Sequence, residues 1–337
     1  MNTPEIEIAG RRIGGGAAPY IVAEIGINHG GNLERAIRLI SAAKGAGVDA
    51  AKFQAFITSE FLTRNSSYYD LLASCALGAD DFRQLFAHAA NLAFPIYSAV
   101  FDEMSADLLH ELQAGAFKIA SGDITHLPLL RHVAQFGKPT LVSTGGATLN
   151  DIRAACDAIR EVNAKTPIGL FHCVSNYPTE PADANLACIA MMRETFQVPV
   201  GFSDHTLGSA AAVAAVALGA DMIEKHFTLD KDAEGPDHAL SLDPFAMSAL
   251  VSDIRSASAA VGSAKKAPVE ASSLIEQIRR SVTARSDIPR GTKITSEMLA
   301  IKRPGTGIAP SEMTLVVGRR AARNIDADST ITWKDLG

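Results

Sequence analysis

The sequence predicts a (β/α)8 TIM barrel followed by a small β-rich domain. Three observations carry that prediction. From Tyr20 onward, short β-rich runs alternate with longer amphipathic ones, as in βα units around a parallel sheet. Eight such units fit within about 240 residues, the usual size of this barrel class. After Val261 the alternation stops, and short strand-and-turn segments take over. A doubly wound open sheet is the alternative, but the Gly26-Ile-Asn-His-Gly-Gly turn lacks the GxGxxG spacing that such a sheet uses for phosphates.

In order, the expected strands are Tyr20–Gly26, Ala50–Ala55, Pro95–Val100, Ala116–Ser121, Pro139–Thr144, Ile168–Val174, Val198–Asp204 and Asp221–Thr228. Helical periodicity marks Asn32–Ala46, Asp80–Leu92, Glu103–Gln113, Leu149–Asn163 and Leu207–Leu218, and Pro244–Val261 closes the ring. Gly47, Gly115, Gly137 and Gly219 stand where helix C-caps need a left-handed residue. Residues 1–262 form the barrel domain in this reading. Residues 263–277, beginning Ser-Ala-Lys-Lys-Ala-Pro, read as a linker, and 278–337 as the β-rich domain.

Composition narrows the function classes. Of 337 residues, 47% are hydrophobic and 20% charged, ample for a packed core. From Arg279 to the C-terminus there are 11 Lys/Arg against 6 Asp/Glu, so residues 1–278 carry −11 of a chain total of −6. That basic tail has no nucleic-acid motif, which favours docking on an acidic body or an anionic substrate over nucleic acid. The 4 cysteines are far apart and form no CxxC pair, which fits reduced thiols in a cytoplasm. No secretory core opens the chain and no apolar run is long enough for a bilayer, so a membrane role is not expected.

In a barrel of this kind the reacting groups gather at the C-terminal strand ends. Seven of the expected strand ends carry polar residues: Glu24; Lys52 and Gln54; Lys118 and Ser121; Ser143 and Thr144; His172, Ser175 and Tyr177; Ser203, Asp204 and His205; Glu224, Lys225 and His226. Taken singly, a lysine on a strand snorkels or pairs and a histidine is a satisfied core residue. Seven sets aimed at one mouth point instead to a site. His205 and His226 end adjacent strands and could share a divalent cation, with Glu224 on the same face of its strand as His226. Lys52 and Lys118, with hydroxyls of Ser121, Ser143 and Ser203, suit a small phosphorylated carboxylate. A cation beside an anion pocket implies polarisation of a carbonyl.

The segments Ile21-Val-Ala-Glu-Ile-Gly-Ile-Asn-His-Gly-Gly-Asn, Lys52-Phe-Gln, Phe117-Lys-Ile-Ala-Ser-Gly-Asp, Ser143-Thr-Gly-Gly, His172-Cys, Tyr177-Pro, Gly201-Phe-Ser-Asp-His-Thr and Glu224-Lys-His-Phe-Thr-Leu-Asp resemble the sialic acid synthase family. The tail, with Asp287-Ile-Pro-Arg-Gly-Thr and Lys302-Arg-Pro-Gly-Thr-Gly-Ile, resembles that family's antifreeze-like (SAF) domain. The resemblance implies condensation of phosphoenolpyruvate with an open-chain N-acetylated hexose, with phosphate leaving by C–O cleavage. It implies His205 and His226 as ligands of a divalent metal, typically Mn2+ with Mg2+ or Co2+ as alternatives, and Glu24 as acid/base. Lys52, Lys118, Ser121, Ser143, Tyr177 and Ser203 would hold phosphoenolpyruvate, with Ser175 also binding substrate and Glu224 and Asp237 supporting the metal water and the sugar. It also implies a domain-swapped homodimer in which Arg303 reaches the other subunit's sugar. Two positions depart from the family pattern. Ala99 stands where a threonine is usual in Ser-Thr-Pro-Phe-Asp, and Ser175 where N-acetylneuraminate synthases commonly carry Asn, closer to legionaminic- and pseudaminic-type members. The competing readings are an aldol synthase acting on a phosphorylated aldose and a non-catalytic sugar-binding protein.

Overall fold

The computed structural model describes residues 4–337, in two compact units that divide between Gly262 and Ser263. The first unit opens with an antiparallel hairpin, β1 (Glu5–Ile8) and β2 (Arg11–Gly14). Eight parallel strands then close into a barrel: β3 (Tyr20–Gly26), β4 (Ala50–Ala55), β5 (Ile96–Val100), β6 (Phe117–Ile119), β7 (Thr140–Ser143), β8 (Ile168–His172), β9 (Val200–Asp204) and β10 (Met222–His226), with β10 pairing β3. Each is followed by a helix: Leu33–Ala46, Ala79–Asn91, Glu103–Glu111, Leu127–Ala134, Leu149–Val162, Cys188–Phe196, Ala210–Ala217 and Pro244–Val261. The predicted (β/α)8 architecture is therefore the observed one.

Local chemistry accounts for the helix boundaries. Asn32, Asp102, Thr148 and Asp243 each accept a backbone N–H of the first turn, satisfying donors the helix leaves free. Gly47, Gly137 and Gly219 are left-handed, as expected of helix exits. Gly115 is not: after Glu103–Glu111 the left-handed residue is Gln113. The helices Leu127–Ala134 and Cys188–Phe196 were not anticipated, nor were Thr58–Phe61 and Tyr69–Cys75 in the long connection after β4.

Strand alternation divides the barrel into two faces. Outward residues such as Ile21, Phe53, Phe117, Val142 and Ile223 pack with the helices in one large core. Inward residues Tyr20, Val22, Ala50, Tyr97, Ala116, Leu141, Phe171 and Met222 form a second cluster with Ile6, Ile8 and Ile13 of the hairpin, which plugs the barrel's N-terminal end. Two glycines make room for it. A Cβ on Gly169 would lie 2.7 Å from Leu141 Cδ2 and 3.3 Å from Ile6 Cδ1, and one on Gly201 would lie 2.7 Å from Phe171 Cε1. With its lower half filled by apolar side chains, the barrel leaves the C-terminal end for polar ones.

The second unit has its own core of Val282, Ala284, Ile288, Ile294, Leu299, Ile308, Val316, Ala321, Ile325 and Ile331, around the antiparallel pair β11 (Ser281–Ala284) and β12 (Leu299–Lys302). A helix at Ser272–Ile278 occupies part of the 263–277 stretch expected to be unstructured linker. Among the described residues no helix is long and apolar enough to cross a membrane.

Candidate active site

At the C-terminal end of the barrel lies a cavity of about 260 Å3, lined by side chains from every barrel strand or the loop that follows it. Eleven of the expected site residues line it: Glu24, Lys52, Lys118, Ser121, Ser143, Ser175, Tyr177, Ser203, His205, Glu224 and His226. Asp237 stands behind this layer, its Oδ2 3.6 Å from His226 Nδ1. Arg303 lies in the C-terminal unit, exposed. Four polar residues at the strand ends, Lys225, Asp204, His172 and Thr144, turn away from the mouth, Thr144 Oγ1 donating to the Phe171 carbonyl at 2.9 Å. Lys225 pairs with Asp204 on the helix-facing side, and His172 Nε2 lies 2.8 Å from the Ala184 carbonyl. Each neighbours an inward residue, and strand alternation reverses it.

The floor of the cavity is a buried charge network. Lys52 Nζ is 2.9 Å from Glu24 Oε2 and 3.6 Å from Glu224 Oε1. Lys118 Nζ donates to both Glu224 oxygens, at 2.9 and 3.0 Å, and Ser203 Oγ donates to Glu224 Oε1 at 2.9 Å. The two glutamates therefore titrate in opposite directions. Burial pushes Glu24 up to about 7, with Lys52 offsetting only part of the effect and Glu224 adding to it. Glu224 feels the same burial, but Lys118 and Lys52 outweigh it and hold it down at about 2. For Lys118 burial wins and lowers its pKa, whereas its two carboxylate neighbours raise that of Lys52 against burial. One carboxyl held near neutrality beside one held ionised is the pattern of an acid/base group with an electrostatic partner.

Beside this network is a small hydroxyl cradle. Gly145 N–H donates to Ser121 Oγ at 3.0 Å, and Ser121 Oγ lies 3.2 Å from Cys173 Sγ. A Cβ on Gly145 would stand 2.2 Å from Ser175 Oγ and 2.9 Å from Ser121 Oγ. Glycine at this position lets two hydroxyls approach the backbone. Gly145 and Cys173 were not among the expected site residues; Gly145 is the third residue of the Ser143-Thr-Gly-Gly segment and could have been marked there. Phe61, Leu72, Ala99 and Phe101 supply an apolar wall, two of them from the short helices after β4.

His205 and His226 stand with ring centroids 5.5 Å apart, and Tyr177 packs on His205 at 4.2 Å. The Val174 carbonyl, 2.7 Å from His205 Nδ1, can only accept, so that nitrogen carries the proton and Nε2 keeps its lone pair. His226 Nδ1 is buried without a hydrogen-bond partner. Burial lowers the pKa of both rings, most strongly at His226, where His205 and Lys52 add to it. Two neutral imidazoles, one with an orphaned nitrogen, fit a divalent cation. No group of three His, Cys, Asp or Glu converges among the described residues, so the protein would supply two nitrogens and leave other positions open.

Comparison with known proteins agrees with this geometry. The model of the NeuB family matches residues 39–266, and that of the SAF domain matches 279–337. An uncharacterized protein of Methanocaldococcus jannaschii is 40% identical over 98% of both chains. The N,N'-diacetyllegionaminic acid synthase of Legionella pneumophila is 39% identical over 94% of both. The crystal structure of the N-acetylneuraminic acid synthetase of Leptospira borgpetersenii superposes with a TM-score of 0.77 at 33% identity, covering 81% of this chain and 94% of that one. The chain belongs to the NeuB family, and is an enzyme of the sialic acid synthase type with a C-terminal SAF domain.

Proposed function

We propose that the protein condenses phosphoenolpyruvate with an open-chain N-acetylated hexose to give a nine-carbon 2-keto acid and phosphate. The observation that carries this reading is the pair of buried lysines shared by two oppositely titrating glutamates at the barrel mouth. With Glu24 protonated and Glu224 ionised, Lys52 and Lys118 leave one uncompensated positive charge there. That charge suits the phosphate and carboxylate of phosphoenolpyruvate, with donors from Ser121, Ser143, Ser175, Tyr177 and Ser203. A divalent cation, Mn2+ in this reading, is held by His205 and His226, and when bound it supplies Lewis-acid polarisation of the sugar aldehyde.

The chain's own residues account for the proton movements. As carbon three of phosphoenolpyruvate attacks the aldehyde carbon, protonated Glu24 gives its proton to the aldehyde oxygen. Carbon two becomes an oxocarbenium-like centre, stabilised by ionised Glu224. Water adds there, and the Glu24 carboxylate takes its proton. The C2–O bond to phosphate then breaks, carrying the bonding pair to phosphate, while the C2 hydroxyl passes its proton to the departing phosphate and becomes the ketone.

Among the described residues Lys52 and Lys118 are the only lysines or arginines lining the cavity, and phosphoenolpyruvate would occupy both. This supports an unphosphorylated acceptor over a sugar phosphate. The resemblance to a diacetyllegionaminic acid synthase favours a 2,4-diacetamido-trideoxyhexose over N-acetylmannosamine. The same reading includes a homodimer, which light scattering tests. The deciding experiment offers Mn2+-loaded protein phosphoenolpyruvate labelled with 18O in the bridging position and a panel of hexoses. Phosphate carrying the label, released only with an N-acetylated hexose and matched by a nine-carbon acid in the mass spectrum, is expected. No release across the panel, or release only with sugar phosphates, overturns it.

A further inference from the structure

Asp237 reaches His226 from a loop, 229–241, that the barrel strands do not hold. That loop is closed at its base by Leu242 N–H donating to the His226 carbonyl at 2.8 Å and Thr228 N–H donating to the Leu242 carbonyl at 3.0 Å. Its inner side is fixed by one buried residue from the other end of the chain. Asn28 Nδ2 donates to the Phe227 carbonyl at 3.0 Å and to Ser241 Oγ at 3.0 Å. Ser241 Oγ in turn donates to the Asp237 carbonyl at 2.6 Å. A carbonyl only accepts, so the partner at Phe227 fixes which way the Asn28 amide points. Asn28 is 2% exposed and Ser241 is fully buried, so water does not compete for these bonds.

We propose that Asn28 is a positioning residue, which acts through Ser241 to hold the Asp237 carboxylate beside His226. The proposal rests on the reading above of His226 as a cation ligand. Asn28 itself does not line the cavity, so it touches neither substrate. The amide ties the start of the barrel, at the loop after β3, to the residue following His226 and to the loop that bears Asp237. Outer partners of metal-binding histidines typically change metal affinity by about 10–100-fold when removed. Asn28 is one step further out, which places its effect at the low end of that range.

The test uses Asn28→Ala and Ser241→Ala, each in the native and in the Asp237→Asn background. Ser241→Ala deletes one hydroxyl and guards against a fold defect in Asn28→Ala, with melting curves as the check. Mn2+ dissociation constants come from spin-resonance titration of metal-stripped protein, and KM is measured for both substrates. Both variants should raise the Mn2+ Kd and the sugar KM about tenfold, with the phosphoenolpyruvate KM within about twofold. In the Asp237→Asn background, adding either change should move neither value by more than about twofold. Unchanged values in the native background overturn the proposal, as does an equal rise when Asp237 is already replaced. If the native protein binds Mn2+ but releases no phosphate, the condensation reading fails while the Mn2+ titration still decides the role of Asn28.

Discussion

Lys225 and Asp204 form an ion pair of 2.8 Å with both side chains fully buried, on the face of β9 and β10 opposite the cavity. Each directly precedes one of the two histidines, His226 and His205. Lys225 Nζ also donates to the Thr206 carbonyl, and Asp204 Oδ1 accepts from both the Thr206 backbone and hydroxyl. The pair thus ties together the two strand ends that set the separation of the imidazoles.

Breaking a pair of this kind leaves a buried charge without its partner, which costs about 3–5 kcal/mol. Lys225→Met is therefore expected to lower the unfolding free energy by that order in urea titrations. The double change Asp204→Leu with Lys225→Met should lose less than the single one, since no charge is stranded. A single variant as stable as the native protein would show that the pair contributes nothing.

The Glu24 titration has a definite sign. Its folded pKa, about 7, is above the ordinary value of 4.5, chiefly through burial. Its stabilising contribution is full below about pH 4.5 and is lost as pH rises through about 7. If the reaction starts from protonated Glu24, kcat/KM for phosphoenolpyruvate falls about tenfold per pH unit above that point. Glu24→Gln should remove this limb from the profile along with most of the activity. A profile rising through pH 7 would make the ionised form the starting state instead.

Gly145 offers a test of the anion cradle. It has no left-handed backbone requirement, so Gly145→Ala acts only through its new Cβ, which meets Ser175 Oγ at 2.2 Å and Ser121 Oγ at 2.9 Å. Both hydroxyls must turn away. The KM for phosphoenolpyruvate should rise by about tenfold, the worth of one charge-assisted hydrogen bond, while the sugar KM holds. A rise confined to the sugar would move the anion elsewhere in the cavity.

The barrel was legible because eight short β-rich runs recur along the chain, six of them followed by a longer helical run, and the catalytic layer because polar residues recur at the strand ends. What escaped has physical reasons. Leu127–Ala134 and Cys188–Phe196 are helices of 8 and 9 residues, too short to show much periodicity. Asp204 and Lys225 stand among mouth residues in the sequence, but each is adjacent to an inward residue, so alternation turns it to the helix side. Asn28 and Ser241 are 213 residues apart, and only closure of β10 onto β3 brings them together.

The N-terminal hairpin was the largest omission. Its strands are four residues each, and the run Ile13-Gly-Gly-Gly reads as loop. The alternation of Glu5-Ile-Glu-Ile was nevertheless present, and it places Ile6 and Ile8 on the buried face. Ile8 and Ile13 are 1% and 0% exposed in the cluster that fills the barrel's lower end. Truncating either leaves a cavity that surrounding strands cannot close, at a cost of about 2–5 kcal/mol each. Ile8→Ala and Ile13→Ala should therefore shift urea midpoints by that amount. Because the charge network sits at the opposite end of the barrel, kcat/KM at 25 °C should stay within about twofold while the protein remains folded. Activity lost without a loss of stability would show instead that the plug sets the geometry of the layer above it.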